Sequence, residues 1–153
     1  MVKVNCNRVE KLILNYVNKS RSKCGLSKLK MDPGLRRIAR KHSGKMAKRG
    51  RIWHGNGVTV AKENIEQGGI LNFIFWLLHA GTSGENIGLM PLGQVRGFKR
   101  KIKTAKDVAF AQHKTWMKSP GHRANVLNNR FSLIGIGVTR NRNRFFCTEL
   151  FYG

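Results

Sequence analysis

Apolar residues at the start of the chain fall on one helical face: Val9, Leu12, Ile13, Tyr16 and Val17 stand at i, i+3, i+4, i+7 and i+8, and the pattern ends near Gly25. A second helix is predicted from Asp32, a good N-cap, with Pro33 suited to the first helical position and Gly50 as the stop. Its apolar face reads Leu35, Ile38, Ala39, His42 and Met46, so His42 is expected as a hydrogen-bonded core histidine rather than a ligand. "RIWHGNGVTVAKENIEQGG" then reads as loop. The apolar run Ile70 to Ala80, "ILNFIFWLLHA", fits either a buried helix or a hydrophobic lip, with Phe73, Phe75 and Trp76 expected in the core. A third helix starts after Thr104, a plausible N-cap, and runs through "AKDVAFAQHKTWMK". Val108, Ala109, Gln112 and Trp116 share its face, which places His113 at the edge, in solvent. "LIGIGVTR" and "RFFCTELFYG" read as two strands joined by "NRN", a hairpin. Helices covering both faces of a small sheet make an α+β sandwich.

The composition adds charge to this picture. The 153 residues suit one domain, 1–153, and 41% hydrophobic content suits a packed core. Thirty Lys and Arg face seven Asp and Glu, a formal charge of +23. Such a field favours anionic partners, whether nucleic acid, acidic lipid surfaces or anionic polymers, and says nothing about fold. The loop "PLGQVRGFKRKIK" concentrates it in Arg96, Lys99, Arg100, Lys101 and Lys103, a candidate anion-binding stretch with Phe98 as its one aromatic. Through this loop nucleic-acid binding would be electrostatic and unspecific. Cys6, Cys24 and Cys147 lack the close spacing of a zinc ribbon and allow one disulfide or none. The N terminus lacks the apolar core of a signal peptide, and the run Ile70 to Ala80 is too short to span a bilayer.

Three polar groups stand in glycine-bounded segments read as loops: His54 in "WHGNG", Glu85 in "SGENIG" and His122 in "SPGHRAN". Two imidazoles and a carboxylate form a recurring metal-binding set, and the same trio can orient a water for acid–base chemistry. They are far apart in sequence, and three loop residues satisfying backbone groups would look the same. Ser119 is a candidate cap for the short helix after it, and Arg123 and Asn125 are expected to brace the His122 segment.

Taken in order, "WHGN", "GENIG", "WMKSPGHRANVLNNRFSLIGIGV" and "FFCTELF" resemble the motifs of the CAP superfamily (SCP-like, cysteine-rich secretory, antigen 5 and pathogenesis-related proteins), in its prokaryotic form, over nearly the whole chain. The resemblance implies a three-layer α/β/α sandwich with a small, mainly antiparallel central sheet and a cleft holding His54, Glu85 and His122. In eukaryotic relatives this set binds a divalent ion, often zinc, with a second glutamate after the helix tryptophan. Ser119 stands at about that place here, so the second carboxylate is missing. Glu149 stands where prokaryotic relatives usually have glutamine; pointing inward it would restore an acid to the cleft, pointing outward it is a surface charge.

The resemblance implies an extracellular or surface-associated binding protein with a cleft for zinc or another divalent metal; the missing carboxylate and the +23 field make that site weak and facultative, and the same charge gives a basic exterior for anionic or amphipathic ligands. The alternative is a hydrolase, protease- or nuclease-like, in which His122 or Glu85 activates a water; no nucleophile pattern supports it.

Overall fold

Capping side chains set the helix limits where the sequence places them. In the computed structural model, which describes residues 4–55 and 82–153, α1 (Cys6–Lys23) starts on Asn5, whose side chain accepts from Arg8 N. Val9, Ile13 and Val17 on it are wholly buried. In α2 (Pro33–Arg49), Asp32 accepts from Leu35 N at 2.7 Å and Gly50 closes the helix in the left-handed region, φ 69°. Thr104 and Asp107 form a reciprocal capping box at the start of α3 (Ala105–Lys118). A short α4 (Pro120–Val126) follows at once. The apolar run Ile70 to Ala80 lies outside the described residues.

The anticipated hairpin forms from β3 (Leu133–Asn141) and β4 (Arg144–Tyr152). Two further strands were not anticipated: β1 (Lys30–Met31) and β2 (Ser83–Pro91). The sheet runs β1-β3-β4-β2, with β1 parallel to β3 and the other pairs antiparallel. The segment "SGENIG" is therefore edge strand rather than loop. Its period-2 pattern is hidden because the buried positions on one face are Asn86, Gly88 and Met90, of which only the last is apolar.

The layers are those the family resemblance implies. On one face of the sheet α2 packs Ile38, Ala39 and Met46 toward Ile87, Phe146 and Leu150. On the other, α1, α3 and α4 cover Ile134, Ile136, Phe145, Cys147 and Phe151. The contact with α2 is unusually close. A Cβ at Gly135 or Gly137 would stand 2.2 Å from the backbone carbon of Leu35 or Ala39, so both positions of "LIGIG" must lack a side chain. Ser43 completes this seam, donating to Gly137 O at 2.8 Å.

Because β1 is two residues long, β3 runs on past it, and among the described residues no strand pairs the rest of that edge. A buried carboxylate closes that edge: Glu10 of α1 accepts from Val138 N at 3.1 Å and from the guanidiniums of Arg36 and Arg40 of α2. One acid thus joins both helical layers to the sheet.

His113 departs from its expected place in solvent. It is 7% exposed, its Nε2 lies 2.8 Å from Ser20 Oγ on α1, and its ring stacks on Tyr16. The physical reason is that α3 is covered by α1 as well as by the sheet, so its buried arc is wider than its apolar stripe. Burial pushes the His113 pKa down to about 4.

Candidate functional site

The cleft lies along β2, an edge strand of the sheet among the described residues, where residues of alternate parity serve opposite faces. Glu85 points to the α2 side. Its Oε2 lies 3.0 Å from His54 Nδ1, and its Oε1 accepts from Gly55 N at 3.3 Å. The Glu85 side chain is 15% exposed and that of His54 59%. From the other layer α4 brings His122, whose ring centroid lies 6.3 Å from that of His54. The three sequence-predicted residues therefore meet at one edge.

Two of the three sit on regular elements. Glu85 is on β2, and His122 is in the first turn of α4 rather than in a free Pro-Gly turn. Ser119 occupies the N-cap position of α4, but its side chain makes no capping hydrogen bond. The His122 pKa is lowered, first by burial and then by the neighbouring His54, a direction that favours the neutral, ligating form of the ring.

Beneath the cleft, Asn86 is wholly buried and faces the helices opposite α2. Its Nδ2 donates to His122 O at 3.1 Å and to Glu149 Oε2 at 2.9 Å, and its Oδ1 accepts from Asn125 Nδ2 at 2.9 Å. Asn125 also donates to Glu85 O at 3.2 Å, so it braces the site as expected. Glu149 takes neither of the two expected orientations. It shares the face of Asn86, opposite to Glu85, and is buried with 0% exposure. Burial raises its pKa to about 8, against a smaller lowering by the Asn86 bond, so the carboxyl is neutral at pH 7.

Sequence reasoning gave Asn86 no role here and read His42 as a core histidine only. His42 is a hydrogen-bonded core histidine, its Nε2 2.9 Å from Trp53 O, yet that nitrogen also lies 3.6 Å from Glu85 Oε1. Asn86 carries the support of His122. The signal for Asn86 was its place in "GENIG"; for His42 the apolar face gave none.

Among the described residues no three His, Cys, Asp or Glu side chains stand close enough to hold one ion. What the edge provides is two imidazoles and a carboxylate already committed to one of them. Cys6, Cys24 and Cys147 are free thiols; Cys147 is buried and its pKa pushed well up, so it offers no thiolate. The basic loop stands at the other end of β2, with Arg96, Lys99, Arg100, Lys101 and Lys103 all exposed. Among the described residues no helix is long and apolar enough to cross a membrane.

An α/β/α sandwich with a histidine–glutamate cleft at one sheet edge defines a CAP-type domain. The family model for the cysteine-rich secretory protein family, CAP, matches residues 14–152, and the chain belongs to that family. The protein YkwD of Bacillus subtilis is 30% identical over 132 residues, 86% of this chain and 43% of that protein, so the chain spans less than half of that curated relative. An outer surface protein of Borrelia burgdorferi superposes with a TM-score of 0.66 at 16% identity, covering 99% of this chain and 98% of that one. An extracellular SCP-domain protein of Bacillus anthracis gives 0.61 at 23% identity, covering 96% of this chain and 41% of that one. The structure of NaASP2 with Zn2+ gives 0.57 at 13% identity, covering 94% and 78%.

Proposed function

We propose that the chain is an extracellular or surface-associated CAP-domain binding protein. Its cleft takes a divalent ion weakly, and its basic exterior takes anionic or amphipathic ligands. One observation carries the metal part: the 3.0 Å contact between His54 Nδ1 and Glu85 Oε2. A histidine that ligates through one ring nitrogen commonly donates its other N–H to a carboxylate, which fixes the tautomer. Glu85 is placed for that orienting role, leaving His54 Nε2 and the His122 ring as the two protein ligands. Two rings on one tetrahedral ion would stand about 5 Å apart between centroids. The 6.3 Å separation asks for a small approach of the exposed His54 ring.

Weak affinity follows from the donor count and the field. Glu149 faces the other side of the sheet, and a protein of formal charge +23 repels a divalent cation. The bound ion would supply Lewis acidity and open coordination positions for a ligand's oxygen atoms. The location is supported by the extracellular and outer-surface descriptions of similar proteins. Calorimetric zinc titration of wild type against His122→Ala tests the site. Measurable binding lost in the variant is expected; equal, negligible heats from both would remove the metal reading. Turnover on protein, lipid-ester or nucleic-acid substrates that disappears in His54→Ala and Glu85→Gln would instead assign the pair as base and orienter of a hydrolase.

A further inference from the structure

By sequence the basic loop 96–103 carries one aromatic side chain, Phe98, and offers a polyanion little but charge. Folding changes that. Gly93 and Ile102 exchange backbone hydrogen bonds of 2.9 and 2.8 Å, and Ile102 is 4% exposed, so the loop is pinned to the core at its base. Gln94 Nε2 donates to Phe98 O at 2.9 Å across the loop. At its far end Asp107 of α3 accepts from Lys103 N and Thr104 N at 3.1 and 2.8 Å.

The loop is thereby held against the outer side of α3, where Lys114 Nζ lies 5.4 Å from the Phe98 ring centroid and 5.9 Å from that of Phe110. Phe110 is 48% exposed, and its ring meets Tyr16 of α1 edge-on at 5.8 Å. Phe98 shares its loop with exposed Arg96, Lys99, Arg100, Lys101 and Lys103, and Phe110 stands one helical turn from exposed Lys106, with Lys114 between the two rings. Between residues 93 and 118 there are eight Lys and Arg and a single acid, Asp107, whose carboxylate is engaged by the helix cap.

Rings interleaved with cations suit a chain of flat rings joined by anionic links. Bases stack on aromatic side chains whatever their identity, while the backbone phosphates meet Lys and Arg. A bilayer suits the surface less well, because burying Phe110 would draw the Lys114 ammonium, 5.9 Å from its centre, toward the apolar layer at considerable cost. A polyanion without rings would use the cations and leave Phe110 idle. We infer that the loop 96–103 and the outer face of α3 form a sequence-tolerant binding surface for single-stranded nucleic acid, with Phe110 as its stacking platform. The inference rests on the reading of the exterior as anion-binding and narrows it to one surface and one chemistry.

The test measures anisotropy of a labelled short oligothymidylate with wild type, Phe110→Ala, the triple variant Lys99→Ala/Lys101→Ala/Lys103→Ala, and Ile52→Ala. Ile52, 45% exposed, is the other exposed large hydrophobic among the described residues and serves as control. Heparin retention and binding to phosphatidylglycerol vesicles are measured beside it. Phe110→Ala should weaken oligothymidylate about tenfold or more, leaving circular dichroism and heparin retention unchanged. The triple variant should lower the salt slope for oligothymidylate by about 2. Ile52→Ala should match wild type. Wild-type affinity in Phe110→Ala would overturn the inference, as would vesicle binding that depends on Phe110 while oligothymidylate binding does not. Absence of heparin retention in wild type would remove the anion-binding reading beneath it; a failure confined to oligothymidylate leaves that reading standing.

Discussion

Through Glu10 both helical layers grip the outer edge of β3, and removing it should be felt throughout the molecule. Its carboxylate accepts five hydrogen bonds: two from Arg36, two from Arg40 and one from Val138 N. Deleting one partner of a buried ion pair costs ~3–5 kcal/mol when the other charge is left stranded. Here the Arg36 and Arg40 side chains are 28% and 41% exposed, so both can turn to water and only part of that cost survives. The Val138 amide has no such escape, since Val138 is 5% exposed, and an orphaned buried N–H costs ~1–3 kcal/mol. Glu10→Ala should therefore lose ~2–4 kcal/mol. At ~2–4 °C per kcal/mol for a domain of this size, Tm should fall by ~5–15 °C. Glu10→Gln keeps an acceptor for Val138 N while turning an amide donor toward the guanidiniums, and should fall between Ala and wild type. Urea and thermal unfolding followed by circular dichroism give both numbers. A Glu10→Ala protein within ~0.5 kcal/mol of wild type would refute the role of this carboxylate at the edge.

Other substitutions probe the buried polar groups and the close seam. His113 is held neutral in the fold, with its pKa lowered to about 4 from 6.5, so its contribution is complete above pH 6.5 and is lost as pH falls toward 4. His113→Phe should flatten the acid limb of the stability–pH curve by ~2–3 kcal/mol, and an unchanged limb would contradict the burial. Glu149 has the opposite sign. Its folded pKa of about 8 lies above the ordinary 4.5, so wild-type stability should fall as pH rises through that window. Glu149→Gln should gain a few kcal/mol over wild type by pH 8 and nothing at pH 4, as read by unfolding at both. Gly137→Ala would drive a Cβ into the α2 backbone and should cost roughly 3 kcal/mol, the upper end of overpacking penalties; a neutral result would show that α2 can lift away.

What could be read from the residues followed the physics of each signal. Helix limits were legible because Asp32, Thr104 and Gly50 act on their immediate neighbours, and the β3–β4 hairpin because the polar turn "NRN" separates two short strand-like runs. Strand β2 was hidden by the polar and glycine residues on its buried face, where Asn86 serves His122 and Gly88 makes room for the Gln112 side chain. His113 was misplaced because the second cover over α3 is a tertiary fact about α1. The candidate cleft was legible only as motifs. No periodicity relates residues 54, 85 and 122, which meet because β2 lies at the sheet edge and α4 packs behind it. The aromatic neighbours of the basic loop were invisible for the same reason: Phe98, Phe110 and Tyr16 belong to three segments that come together only through the packing of both the loop and α1 on α3.

The most direct test of the cleft is to follow the histidine ring nitrogens by NMR while zinc is added at neutral pH. The signals of His54 Nε2 and of the His122 ring should move together, while the His54 Nδ1 proton persists in its bond to Glu85. Movement of one ring without the other, or no movement at a large excess of zinc, would contradict a shared metal site.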